Sequence, residues 1–85
     1  MSTQGLTFTS ALARLDALTF DQLALCYGYW NQRAIDAQTR RGCAIAMTRR
    51  EKVRDEVARR GAFVRRSALG DGYNVTRDAT PAVLR

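Results

Sequence analysis

Histidine does not occur in this chain. Its absence excludes histidine-based triads, dyads and proton shuttles, and any metal site that needs an imidazole. Two cysteines, Cys26 and Cys43, are present, at a spacing that fits no zinc or redox pattern. The plain reading is two buried small apolar side chains, free rather than bridged. Cys43 has Arg40 and Arg41 near it in sequence and no base beside it, so it is at most a reactive thiol. The acids are scattered or placed next to arginines, and no glycine-rich phosphate loop occurs. No constellation for catalysis is assembled, and neither enzyme activity nor a cofactor or metal is expected. There is no apolar run long enough for a membrane-spanning helix. The first ten residues, MSTQGLTFTS, have no charged start or apolar stretch of a signal peptide, so a cytoplasmic protein is expected.

Basic residues are scarce in the first part of the chain. Residues 1–38 set Arg14 and Arg33 against Asp16, Asp21 and Asp36, a net charge of −1. Residues 39–85 set eleven Arg and Lys52 against five acids, a net charge of +7, which completes the +6 of the whole. Four Arg-Arg pairs fall between Thr39 and Arg66: Arg40-Arg41, Arg49-Arg50, Arg59-Arg60 and Arg65-Arg66. Such asymmetry points to a polyanionic partner for the basic part. The plainer account is an arginine-rich composition on a solvated surface.

At 85 residues the chain is expected to be one small domain over residues 1–85, with a modest core, a frayed start at 1–5 and a tail at 78–85. Leu6-Thr7-Phe8 reads as a short extended piece, and Thr9 or Ser10 as the cap of a helix over 10–17 that faces Leu12 and Leu15 inward. Thr19 with Gln22 forms a capping box, flanked by Leu18 and Leu23 as a hydrophobic staple. From there Phe20, Leu23, Tyr27, Trp30, Ala34 and Ala37 make an apolar stripe, which predicts an amphipathic helix over 20–40 stopped by Gly42. Cys43 to Met47 reads as that helix's last buried turn or as a buried connector. Thr48 with Glu51 reads as a second capping box, opening a helix over 49–60 that ends at Gly61. Its acid-first pairs are Asp55 with Arg59 and Glu56 with Arg60. Residues 62–69 and 73–77, around Gly70-Asp71-Gly72, read as a β-hairpin anchored by Phe63, Val64, Tyr73 and Val75. The fold class is therefore mainly α with a small C-terminal β-hairpin.

On this reading Arg49 and Arg50 stand in the first turn of a helix, where the dipole disfavours positive charge by about 0.3–1 kcal/mol. An anion held by the same turn would account for them. The expected function is a non-enzymatic nucleic-acid-binding module, DNA ahead of RNA. Its phosphate contacts would be Arg40, Arg41, Arg49, Arg50, Lys52, Arg65, Arg66 and Arg77. The element order suits a winged-helix-like arrangement, with the 49–60 helix against a duplex and the 65–77 hairpin as the wing. Against it stand the length of the 20–40 helix and the lack of a tight turn before Thr48. The alternative is a small inhibitor or adaptor of the kind carried by mobile elements. It would set the basic half against an acidic protein surface or a nucleic-acid-binding groove, and use Leu25 and Tyr29, which lie off the stripe, as a partner contact. Tyr27, Tyr29 and Trp30 would stack bases only if exposed, and two of them fall on the stripe. Homodimerisation suits both readings, because a short chain gains stability by covering a spare apolar face.

Overall fold

A computed structural model describes residues 4–67 and 72–77, with side chains from residue 8 onward. Its order is α1 (Gln4–Ala11), a 3₁₀ segment (Leu12–Ala17), α2 (Phe20–Asp36), α3 (Arg40–Arg59), β1 (Phe63–Arg66) and β2 (Tyr73–Thr76). The mainly helical chain with a C-terminal hairpin is thus as expected, but three boundaries move.

The first move is at the start. Residues expected to be extended are helical, and Thr9 and Ser10 lie inside α1 instead of capping a later helix. The helical period places Phe8 and Ala11 on one side of α1. Phe8 stacks on Tyr29 with ring centroids 4.4 Å apart, and Ala11 is buried. Packing against α2 outweighs the capping preference of the two hydroxyl residues. The 3₁₀ segment is kinked at Arg14 (φ −144°, ψ 41°) and closes with the Leu18 N–H donating to the Leu15 carbonyl at 3.1 Å.

The start of α2 is as read from sequence. The Gln22 N–H donates to Thr19 Oγ1 at 3.1 Å, and the Thr19 N–H donates to Gln22 Oε1 at 2.8 Å. The helix buries Leu23, Ala24, Cys26 and Trp30. It stops at Asp36, not at residue 40, because Ala37 turns extended (φ −63°, ψ 135°) and Thr39 opens a new helix. Thr39 Oγ1 accepts from the Gly42 N–H at 2.9 Å. Gly42 is therefore not a stop but the third residue of α3. A Cβ there would meet Thr39 Oγ1 at 3.0 Å, so the tight link between the helices favours glycine.

The third boundary has the largest consequence. Cys43 to Met47 continues the helix, Thr48 caps nothing, and α3 runs unbroken from Arg40 to Arg59. A Thr-x-x-Glu pattern opens a helix only where the residues before it leave helical geometry, and here they do not. Ala46, Val53 and Val57 give α3 its buried face. Its end follows expectation: Gly61 is left-handed (φ 73°), its N–H donates to the Ala58 carbonyl at 2.9 Å, and the Ala62 N–H reaches the Val57 carbonyl at 3.0 Å. That is a Schellman closure, with Ala62 and Val57 buried as its apolar contact.

Side-chain contacts join Tyr27 and Asn31 to Arg50, Trp30 to Arg49, and Phe20 to Arg60. Rising numbers on α2 meet falling numbers on α3, so the two helices pack antiparallel along their lengths as an αα-hairpin. A winged helix instead needs a short helix pair crossing steeply, and this pairing departs from it. The core between the layers is Ala11, Leu23, Cys26, Trp30, Ala46, Val53, Val57 and Ala62.

The two strands pair antiparallel, with Phe63 opposite Thr76, Val64 opposite Val75, Arg65 opposite Asn74 and Arg66 opposite Tyr73. Ser67 donates its N–H to the Gly72 carbonyl at 3.0 Å, and Gly72 takes the positive φ (118°) that suits glycine in a turn. β1 stops at Arg66, short of the expected residue 69, and the turn residues 68–71 lie outside the described ones, as does the expected tail at 78–85. Successive strand residues face opposite ways, so Phe63 and Val64 cannot both anchor the hairpin. Val64 and Val75 pack inward, while Phe63 stays 49% exposed. Tyr73 docks the hairpin: its ring covers Gly28, meets Tyr27 edge-on, and its hydroxyl accepts from Asn31 Nδ2 at 2.9 Å.

Candidate nucleic-acid interface

The long α3 reorders the arginines that sequence reading grouped together. Arg49 and Arg50 are in mid-helix, so neither opposes a helix dipole. Arg49 lies over the Trp30 ring, 4.8 Å from its centroid. Arg50 Nη1 donates to Asn31 Oδ1 at 2.9 Å, Arg50 Nε donates to Glu51 at 3.1 Å, and the side chain is only 22% exposed. Asn31 passes the network on to Tyr73, so Arg50 ties both helices to the hairpin. Arg50 is thus held inside the protein by hydrogen bonds, and Arg49 is held only by its place over Trp30.

Arg60 is committed further still. Its Nη1 donates to the Leu18 carbonyl at 2.6 Å and its Nη2 to the Leu15 carbonyl at 2.7 Å, while Nε donates to Glu56 at 2.7 Å. It closes the open carbonyl end of the 3₁₀ segment onto α3. Arg59 turns to Glu56 as well, not to Asp55 as the spacing suggested. With two guanidiniums donating to it, the Glu56 carboxyl titrates at about 2 instead of 4.5. A carboxylate lowered by folding contributes stability above its unfolded value and loses it as pH falls toward the folded value. Unfolding free energy is therefore expected to drop by about 1–2 kcal/mol between pH 4.5 and 2, after discounting for solvent screening. Glu56→Gln should flatten that decline in acid titrations followed by circular dichroism.

The remaining cations face solvent. Arg40, Arg41 and Lys52 make no ion pair among the described residues, and Arg54 holds only a long contact to Glu51 at 3.8 Å. With Ala44, Ile45, Met47, Thr48, Asp55, Ala58 and Arg59, they form the exposed side of α3, about half of its circumference at helical spacing. Arg40 and Arg41 occupy its first turn, which holds no acidic residue. The misplaced first-turn charge inferred from sequence therefore exists, at another pair of arginines. Arg65 is exposed on the outer face of the hairpin beside Phe63.

The structure does not gather all the expected contacts on this side. Arg66 lines a groove of about 590 Å³ along the outer face of α2, together with Leu25, Tyr29, Ile35 and Tyr73. Arg77 lies over the Phe20 ring, 5.4 Å from its centroid, at the start of α2. Leu25 is 64% exposed, whereas Tyr29 is half-buried under Phe8 and is not a free contact. Trp30 is buried and Tyr27 half-buried under Tyr73, which leaves no stacking platform on α2.

Sequence reading did not single out Arg54 and took Phe63 as an inward anchor of the hairpin. Together with Val57, Ala58, Gly61, Ala62 and Val64 they line a depression of about 300 Å³ where the C-terminal end of α3 meets β1. The signal available was the alternation Phe63, Arg65 against Val64, Arg66 along one strand.

Cys26 and Cys43 are both free. Cys26 is buried, which pushes its thiol up from the usual range. Cys43, expected inside, is only half-buried, with its Sγ 3.8 Å from Met47 Sδ. Among the described residues no three Cys, Asp or Glu side chains come together as metal ligands. No described helix is long and apolar enough to cross a membrane. The chain matches no protein-family model, no curated protein and no solved structure. Its surface must be read from its own residues.

Proposed function

We propose that this chain is a small nucleic-acid-binding module whose contact surface is the exposed side of α3, extended at its C-terminal end by β1. The observation that carries the reading is the set of cations left without internal partners: Arg40, Arg41 and Lys52, with Arg54 nearly so. Two of these sit in the first turn of α3 at the expense of helix stability, and a phosphate there would meet both the guanidiniums and the free N–H groups of that turn. The exposed side of α2 sets Asp21 and Asp36 against Arg33, with Leu25 and Ile35 between them, so the excess of positive charge lies on α3.

The test is fluorescence anisotropy with generic duplex DNA and with single-stranded RNA, titrated from low to physiological salt. Five unpaired or weakly paired cations, Arg65 included, correspond to a log–log salt slope of about −3 to −5, with micromolar binding and one nucleic acid preferred. Binding confined to low salt and equal for both would mean a merely basic protein, and the reading fails.

A second reading is favoured by the groove on α2. Exposed Leu25 and Ile35 beside Arg66 suit a protein contact, as in a small inhibitor or adaptor. Under it, Leu25→Glu leaves the fold intact and abolishes capture of one specific protein, with nucleic-acid affinity unaffected.

A further inference from the structure

We infer that the depression beside Phe63 receives an unpaired base, which makes single-stranded nucleic acid the ligand class of this surface. The inference rests on the nucleic-acid reading above and deepens it. Three observations converge at this place. Phe63 leaves half of its surface in solvent on the outer face of the hairpin, although its neighbour Val64 already anchors the strand. The lining beneath it is apolar and small, from Val57, Ala58 and Ala62. Charge lies close by: Arg54 lines the depression, and Arg65, outside its lining, follows on the same strand face two residues beyond Phe63.

Each feature matches one part of a nucleotide. A base offers a flat π-face that stacks on an aromatic ring, and such stacking accepts any base. The Arg54 guanidinium at the depression, and that of Arg65 farther along the strand face, offer the fork geometry that suits phosphates. Duplex DNA presents phosphates and base edges but keeps its base faces stacked. An exposed phenyl ring over an apolar floor therefore has little to contact on a duplex and a full ring face to contact on a single strand.

Fluorescently labelled oligothymidylate, oligouridylate and a mixed-sequence DNA duplex are titrated with the wild-type chain, with Phe63→Leu and with Phe63→Tyr. Leucine keeps the apolar bulk and removes the ring, at a half-exposed site where the fold tolerates the exchange. Phe63→Leu is expected to weaken single-strand binding about 10-fold, the scale of one base stack, with duplex affinity and the salt slope unchanged. Phe63→Tyr, which keeps a stacking ring, binds as the wild type. Equal single-strand affinity for Phe63→Leu and wild type overturns the base site and leaves the phosphate-binding surface standing. A loss of equal size on the duplex overturns it too, since the ring would then act without an unpaired base. If the wild-type chain binds none of the three probes, the nucleic-acid reading falls and the base site with it.

Discussion

Arg60→Ala is expected to destabilise the protein by about 2–4 kcal/mol, measured by urea denaturation followed at the helical circular-dichroism signal. The side chain spans two carbonyls of the 3₁₀ segment and one carboxylate of α3. Truncation leaves the Leu18 carbonyl without that donor, strips one of two guanidiniums from Glu56, and frees the 3₁₀ segment from α3. A chain of this size has roughly 4–13 kcal/mol in total, so the loss takes a large fraction of it. Arg60→Lys should recover little, because one ammonium cannot present the planar fork that serves three acceptors in different directions. Arg65→Ala, on the exposed face of the hairpin, should stay within about 0.5 kcal/mol of wild type. If Arg60→Ala behaves like Arg65→Ala, the clamp is not a stabilising contact.

That contrast shows what can be read from the chain and what cannot. Arg60 and Arg65 are both members of Arg-Arg pairs in a basic run, and of the three acceptors that set Arg60 apart only Glu56 is close enough in sequence to be read locally. The difference comes from partners 42 and 45 residues away for Arg60, and 19 residues away for Arg50. Local features were legible where all their parts are adjacent. The Thr19–Gln22 box needs only four consecutive residues, and the Gly61 closure needs only a glycine after a helical run. The α2–α3 boundary failed because two caps compete within ten residues. Thr39 lacks an acid three positions on, Thr48 has Glu51, and Gly42 looks like a stop. The competition is decided by packing: Ala46, Val53 and Val57 continue one buried face only if residues 40–59 form one helix. The exposed cations were legible as charge, but which of them remain free depended on that boundary. Phe63 was taken for core on hydrophobicity alone, where the strand period places it opposite Val64.

The joint replacement Arg40→Gln, Arg41→Gln, Lys52→Gln and Arg54→Gln is expected to have the largest effect on binding. Each phosphate contact removed flattens the log–log salt slope by about 0.7–0.9, so the slope should fall by about 3 and affinity near 0.1 M salt by about 10²–10³-fold. Stability should move the other way. Glutamine is nearly as good a helix former as arginine, and removing Arg40 and Arg41 takes two positive charges from the positive end of α3, each worth about 0.3–1 kcal/mol. A thermal midpoint equal to or above wild type together with lost affinity is a combination that unfolding cannot produce. Arg49→Gln with Arg50→Gln should show the reverse pattern. It loses the contact over Trp30 and the bonds to Asn31 and Glu51, costing about 1–3 kcal/mol of stability, while the salt slope barely changes. Should the Arg49 and Arg50 pair flatten the slope as much as the four surface residues do, the exposed side of α3 is not where the phosphates lie. A binding surface chosen by charge alone treats the two groups alike. One chosen by which guanidiniums are already occupied separates them, and the slope and the thermal midpoint together decide between the two.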